Sequence, residues 1–242
     1  MIQLAGIPLR IGFRLPETAK YYSRFLLQED CPEYDIAITE EDIDTYPEQC
    51  ADGVLHPYDE HYMLIARASQ FLLKRHRVLI HGVAFVWKGK AWLITAPSGT
   101  GKTTQLRHWQ HLWNDQIALI SGDKPVLEMK QDGRIWLYPS PWTGKEGDIG
   151  EASGELAGIV LLQQSGYNDI YRMKPRDAAL KLFLQFLILG ETGTEFQAVG
   201  EIESFLLRNI PIWCLENTGD EASAVLTYQT LLQCGEIDNE TI

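Results

Sequence analysis

The chain has 242 residues, 45% of them apolar, and a formal charge of -12. That length and apolar content suit one large domain, or a domain with a small appendage, around a core of its own. The acidic balance argues against nucleic acid and against an anionic membrane surface, both of which select basic faces.

Cys31, Cys50, Cys214 and Cys234 show no metal-binding spacing and read as free thiols in a reducing compartment. No basic segment leads the first apolar residues, and Arg10 and Arg14 interrupt them. The most apolar run, 178–189, is too short to span a bilayer and contains Lys181 and Gln185. The expectation is a soluble, cytoplasmic protein.

Residues 1–55 read as a small α+β unit, and 56–242 as an α/β core with helices at its C-terminal end. In the first unit, 1–13 supplies one or two short strands and 16–27 a helix with Tyr21, Tyr22, Phe25 and Leu26 inward. Residues 34–39 alternate like a half-buried strand. The acidic run Glu40, Glu41, Asp42 and Asp44 reads as a solvated turn or helix start.

A helix is expected over 59–77, capped by Asp59, with Leu64, Ala68, Phe71 and Leu72 at helical spacing. A strand over 78–87, the turn Lys88-Gly89-Lys90 and a strand over 91–95 form a hairpin. A loop follows, then a helix from 103 to 113. Short strands are expected at 117–120, 124–130, 135–138, 156–162, 170–173 and 210–215. Helices are expected at 175–189, 195–208 and 221–234.

The loop carries the strongest signal. Ala96-Pro97-Ser98-Gly99-Thr100-Gly101-Lys102-Thr103-Thr104 reads as a Walker A phosphate-binding loop, with Ala96 in place of the first glycine. Its setting between an apolar strand and a helix is the one the chemistry requires. Gly99 and Gly101 let the backbone approach phosphate, and successive N–H groups form an anion nest. The helix N-terminus adds donors and positive dipole. Lys102 is expected to reach the β- and γ-phosphates, and Thr103 a Mg²⁺ ion. Residues 97–104 are thus the candidate nucleotide site.

Downstream, an apolar strand ends in Ser121-Gly122-Asp123, where a second acid belongs. Asp123 is the candidate to hold Mg²⁺ or to accept a proton from a hydroxyl. Pro141-Trp142-Thr143-Gly144-Lys145-Glu146-Gly147 either positions a phosphate or substrate group or is an exposed loop pinned by Trp142. Thr143, Gly144, Lys145 and Glu146 are its candidate substrate residues. His81 sits beside the loop strand, as a core histidine or a site residue. His108, His111 and Asp115 have metal-compatible spacing but read as a solvated helix face.

The stretch Leu79-Ile80-His81-Gly82-Val83, then Gly89 to Ile94, then Ala96 to Thr104 resembles the HPr kinase/phosphorylase group, whose core is related to phosphoenolpyruvate carboxykinase. Pro141 to Glu146 is similar to a glycine-containing loop of that group. Asp123 matches the second acid of the group's Asp-Asp pair, and Gly122 replaces the first. No Glu-x-Arg-Gly-Leu-Gly segment is present, so the resemblance implies an HPr-kinase-like enzyme rather than a true HPr kinase.

It implies a mixed-sheet P-loop core, MgATP as cofactor, and transfer of the γ-phosphate to a hydroxyl of a protein, peptide or free serine. It also implies roles for Lys102, Asp123 and His81 in catalysis and for Thr103 and Asp123 at the metal, with homo-oligomeric assembly open. The alternatives are a nucleotide-binding switch with a protein partner, a carboxykinase, and a non-enzymatic scaffold.

Overall fold

The computed structural model describes residues 1–27, 34–37, 39, 54–143, 147–189 and 193–237. The acidic run at 40–44 lies outside them, as do Ile38, Cys31 and Cys50 and the side chain of Cys234. The fold is mixed α/β.

Strands β1 (Ile2–Leu4) and β2 (Ile7–Gly12) form an antiparallel pair, and β3 (Tyr34–Ala37) adds parallel to β2. Alternation puts Ile2, Leu4, Ile7, Leu9 and Ile36 on one face. That face packs on a 3₁₀ helix (Pro16–Phe25) and on helix α1 (Pro57–Leu73). The first helix is therefore tighter than an α-helix. Helix α1 begins two residues before Asp59. His56 is its N-cap, Pro57 takes the first position, where a missing N–H costs nothing, and Asp59 accepts the His56 N–H at 3.1 Å.

Leu79, Val126 and Trp142 belong to the same core as this small sheet. Glu60 of α1 is fully buried and accepts hydrogen bonds from Arg14 N (2.5 Å), Leu15 N (3.0 Å) and Thr18 Oγ1 (2.6 Å), which fixes the entry to the 3₁₀ helix.

The second sheet has nine strands among the described residues. They are β4 (Arg77–Leu79), β5 (Gly82–Trp87), β6 (Lys90–Thr95), β7 (Ile117–Ser121), β8 (Val126–Met129), β9 (Ile135–Tyr138), β10 (Gly154–Gln164), β11 (Asp169–Arg172) and β12 (Ile212–Asn217). The order runs β4-β8-β9-β10-β6-β5-β7, with β12 also on β10 and β11 on β12. Strand β6 pairs antiparallel with β5 and parallel with β10, and β10 pairs parallel with β12.

The strand expected over 78–87 is two strands. Between them Ile80 N donates to Pro125 O at 3.2 Å and His81 N to Gln185 O at 2.7 Å. His81 thus lies in a bend, not in a strand. The helix expected over 175–189 is shortened by the same contact: α3 spans Pro175–Phe183, after which Leu187 N donates to Leu79 O at 2.9 Å.

Period-two alternation splits the sheet into two faces. Ala84, Leu93, Ile159 and Leu161 pack towards α3 and α4 (Gly193–Asn209). Val83, Phe85, Ile94, Val160 and Leu162 pack under α2 (Lys102–Trp113) and α5 (Glu221–Ile237). Trp109 is fully buried there, with Trp87 5.5 Å away and Trp113 stacked on Tyr228 at 4.3 Å. This layer holds α2 rigidly behind the loop that leaves β6.

Candidate functional site

Residues 96–101 connect the C-terminal end of β6 to the first turn of α2. Gly99 has φ +78° and Gly101 φ +110°, conformations that a side chain disfavours. Gly101 is the N-cap residue of α2 and offers no side-chain cap, and the first turn of the helix, Lys102 to Thr104, lines the cleft. Thr100 tightens the loop from within, its hydroxyl donating to Pro97 O at 2.8 Å.

Lys102 is 7% exposed, and its ammonium donates to Ala96 O at 2.8 Å and Pro97 O at 3.0 Å. Burial pushes its pKa below the ordinary lysine value; Asp123 opposes the shift and Lys124 adds to it. An anion in the cleft offers this cation a better partner than two neutral carbonyls.

Asp123 follows β7 and reaches the same cleft. Its Oδ1 lies 3.3 Å from His81 Nε2, and its Oδ2 accepts from Lys124 Nζ. Burial alone would raise the carboxyl, but the hydrogen bonds from His81 and Lys124 and the nearby positive charge outweigh it. The group is held below the ordinary aspartate value and is ionised at neutral pH. Backbone contacts fix the pair: Gly82 N donates to Asp123 O at 2.7 Å, and Thr95 Oγ1 to His81 O at 2.6 Å. His81, Lys102 and Asp123, distant in sequence, thus share one cleft of about 340 Å³ with Ser98 and Thr103.

A second groove of about 340 Å³ lies across the loop, walled by Ala96, Pro97, Thr100, Leu161, Leu162 and Leu184. It is largely apolar, whereas the cleft is about evenly polar and apolar. Spacing along the sequence gives no hint of it, because its walls come from four separate segments, around 96–100, 161–164, 181–185 and at Cys214, that meet only in the folded chain.

Asp148 also lines the cleft, and sequence reasoning missed it. Arg107 of α2 pairs with its Oδ2 at 2.7 Å. Of the 141–147 loop, Trp142 is fully buried and Thr143 partly so; Gly144, Lys145 and Glu146 lie outside the described residues. His108 contacts Gly219 O at 3.1 Å and His111 contacts Glu221 at 2.7 Å, so this helix face meets the start of α5. Among the described residues there is no cluster of three or more metal-ligating side chains, and no helix is long and apolar enough to cross a membrane.

No family model matches the chain, and no curated protein matches it. Among solved structures it is similar to the Hpr(Ser) kinase/phosphatase from Coxiella burnetii, at 13% identity and a TM-score of 0.37, over 67% of this chain and 95% of that one.

Proposed function

We propose that the protein is an ATP-dependent phosphotransferase that moves the γ-phosphoryl group to a hydroxyl acceptor. The observation that carries this reading is the coincidence, in one cleft, of a left-handed glycine loop, an uncapped helix N-terminus, a buried lysine and an ionised aspartate. Residues 97–104 form the triphosphate cradle, in which N–H groups and the helix dipole stabilise negative charge. The apolar groove across the loop takes the nucleoside, whose flat ring suits Pro97, Leu162 and Leu184.

Lys102 leaves the Ala96 and Pro97 carbonyls for the β- and γ-phosphate oxygens. Its charge, little screened where it is buried, follows the negative charge of the transferring group. Thr103 and Asp123 fit a Mg²⁺ ion, which takes one or two protein ligands and fills its shell with phosphate and water. A cluster of three protein ligands is therefore not required. When bound, Mg²⁺ neutralises charge on the phosphates.

The acceptor hydroxyl lies beside Asp123. Its oxygen bonds to the γ-phosphorus as the bond to the β-phosphate oxygen breaks, and its proton passes to the Asp123 carboxylate. His81 and Lys124 hold that carboxylate in place. A low pKa suffices, because a loose phosphoryl-transfer transition state asks little of its base. Thr143 to Glu146 are the proposed acceptor side.

The test is incubation with γ-labelled ATP, Mg²⁺ and a panel of acceptors: free serine, serine-containing peptides and a cell extract. Label in an acceptor, lost in Lys102→Ala and Asp123→Asn, supports the kinase. ATP binding with label released only as phosphate against every acceptor contradicts it and favours a nucleotide-dependent switch.

A further inference from the structure

We propose that Asp148 is the second carboxylate of the cleft and a ligand of the divalent cation, an assignment that rests on the nucleotide reading above. The starting point is Gly122. A Cβ placed there would lie 2.6 Å from Asp148 Cβ and 3.0 Å from Asp148 O. No side chain fits at 122 because the 147–150 segment runs directly over it. Gly122 N donates to Asp148 O at 2.9 Å, and Ser121 bridges Ile149. The chain therefore brings in, from position 148, a carboxylate whose Cβ lies 2.6 Å from where that of residue 122 would have been.

Asp148 lines the same cleft as Thr103 and Asp123, yet its surroundings differ from those of Asp123. Asp123 is engaged on both oxygens, by His81 and by Lys124. It is thereby positioned by two donors and carries less net negative potential towards a cation. Asp148 is paired through Oδ2 with Arg107, whose side chain is 47% exposed. The Asp148 side chain is 20% exposed, so the pair is screened mainly from the arginine side, and a divalent ion in the cleft competes with a single monovalent cation for the carboxylate. Arg107 sits one helical turn beyond Thr103 on α2, at i+4, so Thr103 and the tether of Asp148 share one face of the helix. Asp123 thus faces the acceptor proton and, with Thr103, the cation, and Asp148 adds a second carboxylate to the cation's shell. Hydroxyl, carboxylate, phosphate oxygens and water together make an ordinary Mg²⁺ shell.

The experiment is a Mn²⁺ titration by electron paramagnetic resonance, with β,γ-imido-ATP bound, on the unaltered protein and on Asp148→Asn and Arg107→Gln. Analogue affinity is measured in parallel in EDTA. Asp148→Asn is expected to weaken Mn²⁺ at least about tenfold without lowering metal-free affinity, since it removes a charge that repels phosphate. Arg107→Gln is expected to hold Mn²⁺ as well as or better than the unaltered protein, because a competing cation is gone. Equal Mn²⁺ affinity in Asp148→Asn, or an equal loss in both variants, overturns the proposal and makes Asp148 a structural tether. Failure of the unaltered protein to bind the analogue overturns the nucleotide reading itself.

Discussion

The indole N–H of Trp142 donates to the phenol oxygen of Tyr22 at 3.1 Å, with both side chains fully buried. This bond ties the root of the 141–147 loop to the core under the N-terminal sheet. Burial holds the Tyr22 phenol well above its ordinary pKa, so it stays protonated. Trp142→Ala is expected to destabilise the protein by about 3–5 kcal/mol through the cavity it leaves. Trp142→Phe, which keeps most of the packing and loses the N–H, is expected to cost less. Urea denaturation of both variants checks this, and midpoints equal to that of the unaltered protein would show that the bond and the packing are immaterial.

At Gly101 the obstacle to a side chain is backbone conformation, not space. The nearest atom to an added Cβ is Leu162 Cδ2 at 3.8 Å, while φ is +110°. Gly101→Ala is expected to cost about 1–3 kcal/mol of stability and to lower ATP affinity at least about tenfold as the N–H groups of the loop turn away. Calorimetric titration and thermal unfolding measure the two effects separately. Undiminished ATP binding would contradict the role of the loop.

Gly122→Ala meets the opposite obstacle, the close approach of Asp148. Overpacking of this kind costs about 1–3 kcal/mol. Because the 147–150 segment must move, hydrogen exchange at the Gly122 amide, now bonded to Asp148 O, is expected to quicken. Unchanged exchange and stability would show that the segment is not held as described.

Asp123 makes stability depend on pH. Its folded pKa is below the unfolded value of 3.8, so its contribution is complete above about pH 4 and is lost as pH falls through the folded value. Asp123→Asn is expected to be less stable near neutrality, with the gap closing as pH falls below 3.8. Urea midpoints at several pH values test this; a gap of constant size would contradict it.

The hairpin of β5 and β6, the turn at Lys88-Gly89 and the loop before α2 were legible because each is local. Apolar runs, turn residues and glycines stand within a few positions of one another. The strand break at Ile80 and His81 and the early end of α3 were not legible. Each is caused by the other, since His81 N and Leu79 O bond to residues 185 and 187, about a hundred positions away. Local propensity favours the longer strand and the longer helix, and tertiary pairing overrides both.

Asp148 was hidden for the same reason. The candidate loop at 141–147 ends one residue short of it, and the proposed role of Asp148 emerges only where its backbone crosses Gly122 and its carboxylate meets Arg107. The glycine at 122, by contrast, was visible as a departure from an acidic pair; its steric cause was not.

The most direct test of the account is calorimetric titration of β,γ-imido-ATP into the unaltered protein and into Lys102→Ala, with Mg²⁺ present. Saturable binding to the former and about ten- to a hundredfold weaker binding to the latter are expected, because a charge-assisted contact to phosphate is worth about 1.5–3 kcal/mol. Equal affinity in the two proteins, with both folded, would contradict the assignment of residues 97–104 as a triphosphate site.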